Sequence, residues 1–427
     1  MLKNLRIIMR MLRLRAYFDP EQTAGTHLDH DLNEALAQNN ITCISYTPIP
    51  TRGVSEEVYQ EYLKRKNKVE QLYNGYIIVN RFRMFREKKN PIQRAFRYFL
   101  CSIREYQLGI RATNIDFVYS SSTPPTQGML SALVAKKLSK KYGKKVPFLF
   151  NLQDIFPDSL VNTGMAKKGG IIWKIGRKIE DYTYDCADKI IVISEGFKQN
   201  IIAKGVQEDK IEVISNWVDL FSVRPIEKSQ NELFDELGID RTKFIVVYAG
   251  NLGESQGVDE IVDTAKHLSS FEDIQFVIFG GGVKFQEFAK RINDENISNI
   301  FITSLQPQNK VSEVYSMGDV ALIICKPGTG NVGLPSKTWN IMACNTPIIA
   351  SYDVESDLAN VIKKAGAGYC VNPGCAKELA DAIETAYKDW KHGNINQLDL
   401  RKFVLCTASK EICVQKYIKI FQNMQEN

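Results

Sequence analysis

Apolar residues in this chain gather into short runs, and between the runs they recur every three or four positions. Short β-rich runs alternating with amphipathic stretches read as parallel strands with helices laid against them. In the first half the predicted strands are 6–14, 41–47, 76–82, 116–122, 147–152, 189–194 and 211–216. The pattern breaks at 222–243, a polar segment with a proline that reads as a linker and a short helix. A second series follows at 244–251, 274–282, 300–305, 320–325, 347–351 and 367–372. No short-period repeat is visible. This predicts an α/β protein of two doubly wound domains, 1–221 and 222–408. A C-terminal helix, about 409–427, is expected to return to the first domain. Such sheets bind ligands beyond the carboxyl ends of their strands, so a cleft between the two domains is the expected place for a site.

Length supports two domains, because 427 residues exceed what one ordinary core holds. The hydrophobic share of 44% and charged share of 24% belong to a globular, ordered chain. Nine cysteines without a C-x-x-C pair, and four scattered histidines, make no zinc pattern. Reduced thiols in a cytosolic protein are therefore expected. The apolar runs fall far short of the roughly 18 residues needed to cross a bilayer. Basic residues interrupt the apolar ones at the start of the chain, so no signal peptide is expected.

Three loops carry candidate chemistry. In "YAGNLGESQGVDEIV" (248–262), Gly250, Gly253 and Gly257 let backbone amides approach a phosphate, and Asn251 and Gln256 add neutral donors. A tight turn alone would also explain the glycines. In "CKPGTGNVGLPSKTWNIMACNTPIIAS" (325–351), Lys326 follows a strand and Pro335 suits a first helical turn. Ser336 and Lys337 then stand where a helix meets an anion, with Asn340 on the same face. "FGGG" (279–282) is a third strand-end turn.

In the first domain, Glu21 lies in the loop after the first strand, Gly25 marks a helix entry, and His27 is either a ligand contact or a cap. In "FNLQDIFPDSLVNTGM" (150–165), Gln153, Asp154 and Asp158 follow a buried strand, where carboxylates suit catalysis or sugar hydroxyls. Asp154 reads equally as a helix N-cap.

These stretches, with "YFDPEQTAGTHL" (17–28) and "ISEGFKQNIIAKGVQEDKIEVISNWVD" (193–219), fall in one order. The chain resembles the retaining glycosyltransferases of family 4, and within them bacterial capsule, O-antigen and colanic-acid-type polysaccharide transferases of the fucosaminyltransferase-like subgroup. The resemblance implies the GT-B fold, two Rossmann-like domains facing across a cleft, with a nucleotide-sugar donor held mainly by the second. It implies metal-independent transfer, so neither a cofactor nor a metal is expected. It places Gly25, Gly250, Asn251, Gly253, Gln256, Leu305, Lys326, Ser336, Lys337 and Asn340 around the donor. Asp154, His27 and Lys337 become the catalytic candidates, and Glu21, Gln153 and Asp158 the acceptor contacts. Family members often have Arg and Lys where this chain has Asn251 and Gln256, a histidine at Gln153, and paired glutamates at Val332 and Asn340.

Residues 81–111 hold nine Lys or Arg against two Glu. On a helix from Ile92, the residues Phe96, Phe99, Leu100, Ile103 and Tyr106 join it on one face, and Arg94, Arg97, Arg104 and Arg111 share an adjacent one. A second basic patch at 165–178 carries Trp173. Together with the net charge of +6, this reads as a surface for an anionic membrane. No nucleic-acid motif accompanies the charge. The expectation is a transferase using a UDP-sugar and a polyprenyl-diphosphate-linked saccharide, peripheral on the inner face of the cell membrane. The alternatives are a GT-B UDP-sugar epimerase and a catalytically silent membrane-recruiting subunit.

Overall fold

The computed structural model describes residues 9–21, 25–87, 90–162, 166–254, 256–330, 333–393 and 399–424, without the side chains of 91, 92 and 162. Residues 6–8 of the first predicted strand, Ile92 as a face residue, Met165 of the second basic patch, and Val332 lie outside what is described.

Among the described residues, tertiary contacts divide the chain at 214/215 and at 413/414 into two units. The sequence pattern suggested 221/222 and 408/409. Segment 215–221 sits with the second unit because Val218 forms a parallel bridge with Ser409, its N–H donating to Ala408 O at 3.0 Å.

Unit 1 runs β1 (Met9–Leu14), α1 (Thr26–Gln38), β2 (Ile41–Pro48), α2 (Glu56–Lys64), β3 (Val69–Leu72), β4 (Ile77–Phe82), α3 (Pro91–Gly109), β5 (Phe117–Ser121), α4 (Gln127–Tyr142), β6 (Phe148–Leu152), α5 (Asp158–Asn162), α6 (Ile171–Cys186), β7 (Lys189–Val192), α7 (Glu195–Ala203) and β8 (Ile211–Val213). Unit 2 holds α8 (Leu233–Leu237), β9 (Phe244–Asn251), α9 (Asp259–His267), β10 (Ile274–Gly281), α10 (Phe285–Asp294), β11 (Ile300–Ser304), α11 (Val311–Ser316), β12 (Val320–Ile324), α12 (Lys337–Ala343), β13 (Ile348–Ser351), α13 (Asp357–Ala365), β14 (Gly368–Val371), α14 (Ala376–Lys391) and α15 (Leu400–Thr407). Helix α16 (Lys410–Asn423) leaves unit 2 and enters unit 1, where Phe421 packs on Phe117 and Tyr119.

Every predicted run contains a strand. Runs such as β6 and β12 are buried at each position, as strands covered on both faces must be. The pattern missed β3, an antiparallel edge strand whose "VEQL" alternates exposed and half-buried positions and so carries no apolar run. The sheets are ordered β3-β4-β2-β1-β5-β6-β7-β8 and β11-β10-β9-β12-β13-β14. Strand order reverses beside β1 in one sheet and between β9 and β12 in the other. Ligands of doubly wound sheets settle beyond such reversals.

Right-handed crossovers put α3, α4 and α6 on one face of the unit 1 sheet, where α4 packs between the other two. Helix α3 corrects the expected basic face. Arg97 is fully buried, its guanidinium 3.5 Å from the Glu87 carboxylate and bonded to Thr51 Oγ1. Arg94 also pairs with Glu87, at 3.1 Å, which leaves Arg104 and Arg111 exposed. The aromatic face is the outward one, with Phe96, Phe99 and Ile103 exposed and Phe85 stacked on Phe96. In α6 the residues that project are Ile171, Ile172 and Ile175, the first 79% exposed, while Trp173 is half-buried.

Candidate active site

In unit 2 the loops after β9 and β12 meet at the strand reversal. Lys337, the first residue of α12, reaches back to the end of β9, where its Nζ donates to Ala249 O at 2.8 Å. The ammonium also lies 4.5 Å from the centroid of the buried Tyr248 ring, an attractive cation–π placement. Desolvation lowers its pKa to about 8. This is a half-buried cation with no carboxylate beside it among the described residues.

Gly250 makes room for that ammonium, since a Cβ there would sit 2.6 Å from Nζ. Gly282, at φ 125°, does the same for Asn251: a Cβ would come within 2.2 Å of Asn251 Oδ1. The "FGGG" turn is therefore a seat for Asn251, whose Nδ2 approaches Gln256 Oε1 at 3.4 Å across Gly253. Lys326 is exposed and faces Glu254 at 3.4 Å, and Lys284 faces the same carboxylate at 3.5 Å. Ser336 is exposed and makes no side-chain cap to α12. Asn340 is half-buried one turn beyond Lys337. Leu305 projects at the end of β11, its N–H donating to Gly280 O at 3.1 Å.

The sequence reading overlooked Asp353. Its carboxylate accepts the Gly328 and Gly330 amides at 3.0 and 2.8 Å and so pins the start of the loop that follows Lys326. Its position, just past the carboxyl end of β13, was the available signal.

In unit 1, Gln153 and Asp154 sit beyond β6, both backbone amides donating to Ser122 Oγ at 3.0 Å. Desolvation raises the Asp154 carboxyl pKa, and a Ser159 hydrogen bond partly opposes it. Gly25 is the N-cap residue of α1, with Asp29 N–H donating to its carbonyl, and His27 is exposed in the first turn. Two expected acceptor contacts are engaged within the unit. Glu21 is buried and accepts the amides of Phe18, Thr51 and Arg52. Asp158 accepts Lys204 Nζ at 2.7 Å, and Lys204 also reaches Glu180 at 2.9 Å.

Between the start of α1 and the turn joining β3 to β4, unit 1 opens into a cavity of about 340 Å³. Asp19, His30 and Tyr73 line it, and His27 does not. His30 stands 3.6 Å from Asp19 on one side and 3.3 Å from the Tyr73 hydroxyl on the other.

Among the described residues no cluster of three or more His, Cys, Asp or Glu could hold a metal ion. No described helix is long and apolar enough to cross a membrane.

Comparison with known proteins gives these features a family. The family described as Glycosyltransferase Family 4 matches residues 30–221, and Glycosyl transferases group 1 matches residues 229–397. The chain is 25% identical over 274 residues to the Escherichia coli (strain K12) protein named as a colanic acid biosynthesis glycosyl transferase, WcaI. That match covers 63% of this chain and 66% of the relative, just short of two thirds of its length. It is 25% identical over 308 residues to a Pseudomonas aeruginosa protein named as glycosyltransferase WbjE, across 71% of this chain and 74% of that one. The solved structure of HepE from Anabaena, in complex with UDP, superposes with a TM-score of 0.69 at 13% identity, over 97% of this chain and 100% of its own. That likeness concerns the fold, which is GT-B. The chain belongs to the glycosyltransferases, with a family 4 domain in its first half and a group 1 domain in its second.

Proposed function

We propose that this transferase moves a sugar, with retention at the anomeric carbon, from a UDP-linked donor to a lipid-linked saccharide during bacterial surface polysaccharide synthesis. The observation that carries this reading is Lys337 at the strand reversal of unit 2, half-buried, with its pKa lowered by desolvation and no carboxylate partner among the described residues. A diphosphate leaving group develops negative charge as the glycosidic bond breaks, and a fixed ammonium stabilises it. Amides of the glycine turn add to that effect, and Lys326 adds charge once released from Glu254. The departing diphosphate itself accepts the proton of the acceptor hydroxyl, so no strong protein base is required. Asp154 and Gln153 stand as acceptor-side contacts and His27 as a further candidate. The lysines supply the positive charge, and the reaction is proposed to need no metal.

The name of WcaI supports the polysaccharide setting, and the UDP bound to HepE supports the nucleotide. Helix α3 supports a lipid-borne acceptor. It hides Arg97 and displays phenylalanines, the reverse of a solvated helix, and Arg104, Arg111 and the lysines around α6 suit anionic headgroups. We place the protein on the cytoplasmic face of the cell membrane on this basis.

Release of UDP from a panel of UDP-sugars, lowered on the order of a hundredfold in Lys337→Ala, is the test. A second reading, a silent recruiting subunit, draws on Asn340, which stands where a ribose-binding carboxylate is usual. No turnover of any donor by the purified chain would favour it.

A further inference from the structure

We infer that Tyr248 is a positioning residue of the site in unit 2: its ring face holds the Lys337 ammonium at the end of β9, and its hydroxyl holds the footing of the glycine turn that follows. The inference rests on the reading of Lys337 as the charge that meets the donor diphosphate, and adds the side chain that fixes where that charge stands.

Packing alone does not account for a tyrosine here. Position 248 is 1% exposed, in a cluster with Phe244, Val246, Val258, Ile278 and Ile324, where a phenylalanine would bury its ring without a hydroxyl to satisfy. The hydroxyl donates to Asn251 O at 2.9 Å, on the last residue of its own strand. The next N–H, of Leu252, donates to Gly281 O at 2.6 Å. Both polar atoms of the Asn251–Leu252 peptide are thus occupied. That peptide fixes the direction in which the turn toward Gly253 and Gln256 leaves the strand. Burial pushes the phenol pKa well above its usual value, so the hydroxyl stays a neutral donor.

The ring serves the other element. Lys337 Nζ lies 4.5 Å from the Tyr248 centroid and 2.8 Å from Ala249 O. Two successive residues of β9 therefore hold one ammonium, one through a π face and one through a carbonyl. Gly250 keeps the slot beside them open, since a Cβ there would stand 2.6 Å from Nζ and 3.6 Å from the phenol oxygen. A neutral ring attracts the ammonium without neutralising it. A carboxylate in the same place would hold the lysine more tightly and cancel the charge that a diphosphate needs. One buried side chain thus touches both parts of the proposed phosphate grip, the lysine of α12 and the turn after β9, and sets the distance between them.

The experiment is calorimetric titration of UDP into the full chain from pH 7 to pH 10, with uridine binding followed by saturation-transfer NMR. In the unchanged chain UDP affinity should fall with a midpoint near the Lys337 pKa of about 8. Tyr248→Met, apolar and long but without a ring, should weaken UDP about tenfold at pH 7. It should also move the midpoint down by roughly half a pH unit to one, because the ammonium loses the π face that favours it. Tyr248→Phe keeps the ring, so it should keep the midpoint and weaken UDP about three- to tenfold through the turn. Uridine, which carries no phosphate, should bind all three chains alike, whereas a general loosening of unit 2 would weaken it as well. A midpoint that stays or rises in Tyr248→Met overturns the inference, as does UDP affinity unchanged in Tyr248→Phe or a parallel loss of uridine binding. Should Tyr248→Met fail to fold, Tyr248→Phe still decides. Lys337→Ala separates this inference from the reading beneath it. If that change leaves UDP affinity untouched, the lysine does not face the diphosphate and both fall; if it weakens UDP while the Tyr248 variants behave like the unchanged chain, only the role of Tyr248 falls.

Discussion

Lys337 and Ala249 are joined by a 2.8 Å hydrogen bond from ammonium to carbonyl, across 88 residues of chain, at the point where the unit 2 sheet reverses its strand order. A charge held by a neutral carbonyl and the face of the Tyr248 ring is fixed in place without being neutralised.

The first prediction concerns that charge. Lys337→Ala should lower kcat/KM for the donor on the order of a hundredfold, read by UDP release. Lys337→Met should do the same and yet raise the melting temperature at pH 7, because a partly desolvated charge without a counter-ion is a cost to folding.

The same residue sets a pH response. Its folded pKa of about 8 lies below the unfolded value near 10.5, so between those values the unfolded chain binds more protons. Stability from this position should therefore rise with pH through that window, while affinity for UDP falls as the ammonium is lost. Calorimetric titration at pH 7 and pH 9 should show weaker binding at pH 9, accompanied by proton uptake. Equal affinity at both would remove Lys337 from the phosphate.

Asn340 is predicted to hold the donor through its side-chain carbonyl. Asn340→Ala should raise the donor KM about tenfold, the worth of one hydrogen bond, and Asn340→Glu should restore it. If neither change moves KM, the ribose lies elsewhere.

Asp353 acts at one remove, through the Gly328 and Gly330 amides. Asp353→Ala should raise donor KM several-fold by releasing the loop, with kcat unchanged. A drop in kcat alone would mean a different role.

Helix α3 gives a paired prediction. Phe96→Ser with Phe99→Ser should reduce co-sedimentation with anionic vesicles at least about a hundredfold, since each ring contributes roughly 1.5–3 kcal/mol in an apolar setting, and should leave the melting temperature alone. Arg97→Ala removes one of two guanidiniums facing Glu87 while Arg94 keeps its ion pair, so it should cost less than the roughly 3–5 kcal/mol of a fully broken buried pair and lower the melting temperature by several degrees. Vesicle binding unchanged in the double serine variant would end the case for α3 as a membrane contact.

The strands were legible because a strand buried on both faces can be read from its own few residues, as "VALII" shows. The edge strand "VEQL" could not be, since what makes it a strand is its neighbour β4. Lys337, Gly250 and Asn251 were legible as a group because glycine turns and a helix start are local signals. Arg97 was not. Helical spacing assigned it to a solvated face, and only Thr51, 46 residues away, and Glu87 on the preceding loop reveal that it points inward. The partner of Asp158 was equally hidden from the sequence, since Lys204 lies 46 residues away. His27 stood out in the sequence as a helix-entry histidine, while His30, one turn on, is the residue that lines the cavity.

The pairing of Val218 with Ser409 brings the entry and exit of the second unit side by side. Residues 215–413 thus form a cassette whose two ends already meet. A block so bounded can be exchanged for a related one without stretching either connection, and under the function proposed above the exchange would carry the donor preference with it.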